Sequence, residues 1–280
     1  MVRELLRWGK SELAGANISG VDAELLLAYL LNISRMELHS KSVELDDVEA
    51  QRIDEAFREL ITQRLTGEPV QYLTGEAPFR YLTLDVGPGV LIPRPETEVL
   101  VDEVLHQLQH FDDPVSIVDL GAGSGAIAIS IASEVVGKKT VHLIAVEKSS
   151  EALVWLQKNI AKFDLPIRTI QADVADALIG VKCDVVVANP PYIPDLESLP
   201  TEVANFEPAI ALRGGSDGMA IPHQFIVAAS RLLKGGGFFA MEHHESQVEL
   251  VRAELFADFI EIKIHYDLAQ RPRFTTAVRK

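Results

Sequence analysis

The chain has 280 residues, 48% of them hydrophobic, enough for one large domain or for a medium and a small one, each with an apolar core. Lys and Arg number 26 against 41 Asp and Glu, a formal charge of -15, which argues against a protein that holds a long nucleic acid by its phosphates. No run of about 18 apolar residues occurs, no apolar segment follows Met1-Val2-Arg3-Glu4, and the single cysteine, Cys183, excludes an internal disulfide; the expectation is a cytoplasmic protein without a membrane span.

Residues 1 to about 75 read as helical. Ala23–Leu31 is rich in Leu and Ala, with Asp22 at its start as a cap. A second helix from about Leu45 to Leu65 puts Ile53, Phe57, Leu60 and Ile61 on one face and stops at Thr66-Gly67-Glu68-Pro69. This segment carries 13 acidic and 8 basic residues and reads as a small bundle with its own core. Over 70–95, Tyr72–Gly75 and Phe79–Val86 alternate like strands between glycines and prolines, an extended or hairpin linker. Leu91–Glu98 leads into a helix running to about Leu108, with Pro95 near its start. The division expected is a helical domain over 1–75, a linker over 76–95 and a third segment over 96–280.

From residue 114 strands and helices alternate. Strands fall at Val115–Leu120, Val141–Val146, Ile167–Gln171, Cys183–Ala188 and Gly237–Glu242, with helices at about 126–136, 151–161, 221–233 and 246–256 and a long insertion over 193–215. Two strands without a helix between them, Ile260–His265 and Phe274–Val278, close the chain. The fold class expected is α/β: seven strands, mostly parallel, covered on both faces, with an antiparallel edge.

Asp119-Leu120-Gly121-Ala122-Gly123-Ser124-Gly125 ends the first of these strands and opens a helix. Its glycines let the backbone approach a ligand. The spacing is neither the dinucleotide fingerprint nor the triphosphate loop, and Asp119 would repel a diphosphate; it suits a cationic amino-acid head, or it orders the loop. Glu147 ends the second strand, where a carboxylate takes both hydroxyls of a ribose. After the third strand, Asp173 is placed to touch an adenine amino group or to cap a loop, and Val174 to give apolar contact to the ring. Together these describe a nucleoside with an amino-acid tail and no phosphate, which S-adenosylmethionine fits. The histidines and Cys183 lack metal-ligand spacing, and the adjacent His243 and His244 make a poor chelate, so no metal is expected.

The fourth strand runs Val185–Ala188 into Asn189-Pro190-Pro191-Tyr192. Two prolines cannot extend a strand, so an amide, prolyl-region carbonyls and a phenol ring stand at its carboxyl end, the edge where open α/β sheets bind ligands. That set suits a flat NH2-bearing group, a nucleobase or an amide.

With these motifs the chain resembles the class I S-adenosylmethionine-dependent methyltransferases. More closely it is similar to the bacterial N5-glutamine methyltransferases that modify peptide chain release factors. The resemblance covers nearly the whole chain through Gly67–Gly75, Leu91–Glu98, Asp119–Gly125, Asn189–Tyr192 and Phe206-Glu207-Pro208 with Ala211-Leu212 and Gly214-Gly215. It implies that Gly121, Gly123 and Gly125, with Ala122 and Ser124 between them, lie against the methionine part of the cofactor, with Glu147 at the ribose and Val174 beside the adenine. Asn189 would touch cofactor and substrate amide. Read from the residues alone, Arg94 would contact the substrate protein, pair with an acid in the Phe206–Gly215 run or brace the helix start, and Glu207 would be a substrate-binding ligand of the wall or a loop anchor. His244 stands where relatives often have Gly. The acceptor it implies is the glutamine of a Gly-Gly-Gln tip on a release factor, entering a cleft between helical bundle and sheet domain of a monomer.

Chemistry follows from the tetrad. An amide nitrogen is a poor nucleophile, so alignment is expected to do most of the catalysis. Asn189 Oδ1 and the Pro190 carbonyl would accept both N–H groups of the target amide, Tyr192 would pack on its plane, and Pro191 would stiffen the loop. A DNA adenine-N6 methyltransferase would use the same tetrad, but residues 76–280 carry 28 acids against 18 bases, so no stable nucleic-acid partner is expected. A ribosomal-protein glutamine methyltransferase is the nearer alternative.

Overall fold

Among the described residues five helices open the chain: α1 (Val2–Gly15), α2 (Gly20–Leu30), α3 (Arg35–Ser40), α4 (Asp47–Leu65) and α5 (Val70–Thr74). The computed structural model describes residues 1–40 and 43–280, and the chain divides into two units. One comprises Met1–Glu76 with Leu199–Phe206, the other Ala77–Ser198 with Glu207–Lys280.

In the first unit α4 turns Ile53, Phe57 and Ile61 inward at helical spacing, onto a core that includes Leu5 and Leu13 of α1 and Leu26 and Leu27 of α2. Phe57 lies over Gly9, where a Cβ would come within 2.7 Å of the ring. Asp22 is not the cap of α2: Ser19 takes that place, its hydroxyl accepting from Val21 N at 3.2 Å. Asp22 instead pairs with Arg64 at 2.8 Å, and Arg64, almost fully buried, also reaches Glu202 at 2.8 Å. Buried Glu24 is pushed up by desolvation, but Lys10, Arg35 and His39 outweigh that and hold it at about 2. The strand-like reading of Tyr72–Gly75 also gives way. Pro69 at the N-cap and Gly75 in the left-handed conformation bound the short helix α5, with Val70 and Tyr72 buried.

The second unit holds the alternating part. A two-stranded sheet of β1 (Glu76–Phe79) and β2 (Leu82–Asp85) turns at Arg80, whose guanidinium pairs with Glu134 and Asp102 and donates to the Glu98 carbonyl. Then come α6 (Thr97–Leu108), β3 (Val115–Leu120), α7 (Ala126–Val135), β4 (Val141–Glu147), α8 (Ser150–Phe163), β5 (Ile167–Gln171) and β6 (Cys183–Ala188). The stretch read as a long insertion contains α9 (Thr201–Phe206), grouped with the first unit, and a 3-10 turn at Ala209–Ala211. After it follow α10 (Ala220–Leu232), β7 (Leu233–Glu242), α11 (Val248–Leu255), β8 (Phe259–Tyr266) and β9 (Pro272–Arg279).

The seven-stranded sheet has the order β5-β4-β3-β6-β7-β9-β8. Its first five strands are parallel, and β9 runs antiparallel between β7 and β8, as the sequence pattern anticipates. Strands β3 and β6 are apolar and buried almost throughout because helices cover both faces: α6, α7 and α8 one, α10 and α11 the other. Strand order reverses between β3 and β6, so their carboxyl ends lie side by side, Leu120 opposite Ala188. Such a reversal opens a crevice for a ligand. Among the described residues no helix is long and apolar enough to cross a membrane.

Candidate active site

The carboxyl ends of β3, β4, β5 and β6 surround a cleft of about 210 Å3 in the second unit. Gly121, Ala122, Gly123 and Ser124 form one wall. The loop turns back at once, with Gly121 N and Ala122 N both donating to the Val146 carbonyl. Gly121 and Gly123 have φ of +71 and +56, and beside Gly123 a Cβ would meet nothing within 4 Å, so this glycine faces open space. Gly125 is different. It does not line the cleft, and a Cβ there would approach Ile129 and Leu156 to 2.7 Å; its bareness serves helix packing.

Asp119 also stands behind the loop, fully buried. Its Oδ2 accepts from Ala128 N at 3.1 Å, and Oδ1 has no hydrogen-bond partner among the described residues. Burial pushes its carboxyl up to about 7; the Ala128 N–H opposes this and the Glu147 charge adds to it. Glu147 lies on the cleft with one oxygen accepting from Gly123 N at 2.8 Å and the other from Ser149 N at 2.7 Å. Each carboxylate oxygen keeps a second lone pair for a ligand hydroxyl. Asp173 and Val174 line the next part of the wall. Of the two roles expected of Asp173, its contacts are those of a loop cap, accepting from Ala175 N at 3.0 Å, with an ion pair to Lys148 at 2.8 Å. Val174 is buried with its side chain in the sheet core.

Asn189 and Pro191 complete the cleft beside Gly121, whereas Pro190 is buried and Tyr192 lies outside the lining. The Tyr192 hydroxyl donates to Glu242 Oε1 at 2.8 Å, and its ring tilts against His244. The loop is bolted down from outside. Gln247 Nε2 donates to the Tyr192 carbonyl at 2.8 Å, and Gly214 and Gly218 pack so closely on the Pro191 and Tyr192 carbonyls that neither has room for a Cβ. His244, the departure noted in the sequence, caps the 3-10 turn Glu245–Gln247. Arg94 lines the cleft and pairs with Glu207 at 2.6 Å; Glu207, buried, also accepts from Ile92 N at 3.1 Å. Of the alternatives left open for these two residues, the contact is that of a brace.

Two residues that the sequence did not single out belong to this site, Thr97 and Glu242, with Arg273 of β9 lending its charge to Glu242. Thr97 Oγ1 lies 2.6 Å from Glu242 Oε2 and 3.2 Å from Asn189 Nδ2. Thr97 sits inside the Leu91–Glu98 run and Glu242 at the carboxyl end of a strand beside β6, signals that were present but unspecific. Cys183, by contrast, is buried with its thiol pushed up to about 12 by desolvation, an inert core residue. No group of three or more His, Cys, Asp or Glu among the described residues is placed to hold a metal ion.

A family profile described as "PrmC N-terminal domain" matches residues 4–75, and one described as "Methyltransferase small domain" matches residues 97–206. The release factor glutamine methyltransferase of Mycolicibacterium smegmatis is 38% identical over 95% of this chain and 92% of its own. That of Streptomyces coelicolor is 39% identical over 94% and 92%, and that of Geobacter sulfurreducens 34% over 89% and 86%. The chain belongs to the release factor glutamine methyltransferase family.

Solved structures agree in fold. The 16S rRNA N2 G1207 methyltransferase of Thermus thermophilus, in complex with AdoMet and guanosine, superposes with a TM-score of 0.52 at 21% identity, covering 73% of this chain and 50% of that one. A methyltransferase of Pyrococcus furiosus gives 0.52 at 15% identity, covering 70% and 87%. The family's cofactor is S-adenosylmethionine, and the residues present fit it. Gly123 leaves open space against the loop, Glu147 has acceptor capacity to spare, Val174 is apolar, and the Glu147 carboxylate on the cleft wall disfavours a diphosphate.

Proposed function

We propose that this chain transfers a methyl group from S-adenosylmethionine to the side-chain amide nitrogen, N5, of the glutamine in the Gly-Gly-Gln tip of peptide chain release factors. The observation that carries the reading is that Asn189 and Pro191 line the same cleft as Gly121, Gly123 and Glu147, in a chain of this family. Gly121, Gly123, Glu147, Asp173 and Val174 hold the cofactor, which supplies an electrophilic methyl group on sulfonium. The helical segment over 1–75 binds the substrate protein. The formal charge of -15 supports a protein partner and disfavours a nucleic-acid one. A cytoplasmic location goes with that substrate.

The chain's residues act by alignment. Asn189 Oδ1 and the Pro190 carbonyl accept the two N–H groups of the target amide. With those protons engaged, the nitrogen can pyramidalise and present its lone pair to the methyl group, and the developing positive charge is stabilised by the same two acceptors. The new N–C bond forms as the S–C bond breaks, and the nitrogen, now strongly acidic, gives a proton to water. Tyr192 holds the loop from behind through Glu242 rather than from the cleft.

A methyl-acceptor assay tests this. Labelled methyl should pass to a release factor, and a Gly-Gly-Ala acceptor should stay unlabelled. Equal labelling of a ribosomal protein or of DNA, or label persisting on the Ala acceptor, would defeat the reading.

A further inference from the structure

The Asn189 amide is the end of a hydrogen-bond chain that begins at a buried carboxylate. Glu242, 1% exposed at the end of β7, has Oε2 2.6 Å from Thr97 Oγ1 and Oε1 2.8 Å from the Tyr192 hydroxyl. Thr97, 3% exposed at the start of α6, has the same Oγ1 3.2 Å from Asn189 Nδ2. A hydroxyl has one proton to donate. An ionised Glu242 only accepts, so Thr97 gives its proton to Oε2 and can only accept from Asn189. The amide nitrogen must then face Thr97, which leaves Oδ1 for whatever enters the cleft.

Protonation reverses the chain. A proton on Glu242 Oε2 points at Thr97 Oγ1, the hydroxyl rotates, and its own proton points at Asn189. The amide then rests best with Oδ1 toward Thr97, and Nδ2 faces the cleft: a donor where the substrate's N–H groups need an acceptor. We propose that Thr97 and Glu242 are positioning residues that set which end of the Asn189 amide faces the methyl acceptor, and that a proton on Glu242 turns it round. The inference rests on the reading that Asn189 Oδ1 accepts from the substrate amide.

The charged surroundings of Glu242 bear on where this happens. Arg273, on the neighbouring β9 with Asp267 beyond it, favours the carboxylate; Glu96, just ahead of α6, opposes it; Tyr192 and Thr97 donate to it. His243, next on β7, is made less basic by its burial, its ring held by Thr275 and the His244 carbonyl. Burial prevails and raises Glu242 above an ordinary glutamate.

The test compares wild type, Thr97→Val, Thr97→Ser and Glu242→Gln in methyl transfer to a release factor across the acid range. Thr97→Val keeps the shape of the side chain and should lower kcat on the order of 100-fold, with the cofactor KM little changed. Thr97→Ser should restore most of the loss. The wild-type rate should fall on the acid side at a pH above the ordinary glutamate range, and the slow residual rate of Thr97→Val and of Glu242→Gln should lack that limb. In the cofactor-free protein, the Asn189 side-chain NH2 resonances should move over the same pH range in wild type and stay still in Thr97→Val. Wild-type kcat with an unchanged acid limb in Thr97→Val overturns the inference, as does a Thr97→Ser enzyme as slow as Thr97→Val. The resonances decide the question even where Glu242→Gln fails to fold. A wild type that leaves the release factor unlabelled strikes instead at the reading of the substrate, while the resonance shift still stands or falls by itself.

Discussion

Arg94 reaches Glu207 at 2.6 Å across 113 positions of sequence, and the other Glu207 oxygen accepts from the Ile92 N–H at 3.1 Å. The two partners are unequal: the Glu207 side chain is 2% exposed and that of Arg94 30%. Loss of the arginine strands a buried carboxylate, whereas loss of the carboxylate charge leaves an arginine that water can reach. Arg94→Ala should therefore destabilise the protein by about 3 kcal/mol and Glu207→Gln, which keeps an acceptor for Ile92 N–H, by only about 1 kcal/mol. Urea unfolding midpoints measure both. Equal losses would mean that the pair is not the anchor of the Leu91–Arg94 segment.

Asn189→Ala should separate binding from chemistry. Its amide borders the cleft, but the cofactor's contacts in the proposed arrangement come mostly from the glycine loop and Glu147. Turnover should fall on the order of 100-fold or more, while the calorimetric Kd for S-adenosylmethionine changes only a few-fold. Collapse of cofactor affinity in this variant would assign Asn189 to the cofactor and not to the acceptor.

The framework of this site was readable because burial on both faces leaves β3 and β6 as nearly unbroken apolar runs, and because prolines and glycines mark where those runs end. What escaped was whatever depends on long-range partners. Nothing local distinguishes Thr97 from a helix-start residue or Glu242 from a strand-end acid; their pairing spans 145 positions. The same limit left the roles of Arg94 and Glu207 open. At Asp22 the helix begins earlier than its apolar run, so Ser19 takes the cap and Asp22, inside the first turn, pairs with the distant Arg64. Gly125 shows the reverse error, a motif glycine whose need comes from Ile129 and Leu156 behind it.

That distinction within the glycine loop gives a paired prediction. Gly123→Ala puts a methyl group into open space at a φ of +56, so its stability loss should stay near the backbone strain of about 1 kcal/mol. Cofactor affinity should suffer, because the new methyl occupies the cleft wall. Gly125→Ala meets Ile129 and Leu156 at 2.7 Å with a φ of +87, and should lose about 2–4 kcal/mol through overpacking and strain together. Thermal melts with and without S-adenosylmethionine separate the two. A Gly123→Ala protein with wild-type affinity would remove the loop's centre from the cofactor site.

Asp119 allows a prediction about pH and stability. Burial raises its folded carboxyl to about 7, from the ordinary aspartate value of about 3.9. Between these values the folded protein holds a proton that the unfolded chain has released. Asp119 therefore contributes most below about pH 4, and that contribution is lost as pH rises through about 7. Asparagine at this position keeps an acceptor for the Ala128 N–H but does not titrate. The stability of wild type relative to Asp119→Asn should thus decline steadily from mild acid to neutrality, read as the difference between their melting temperatures at each pH. Parallel curves would show that the carboxyl ionises in the folded state as freely as in the unfolded one, and that its unpartnered Oδ1 reaches a proton donor or water.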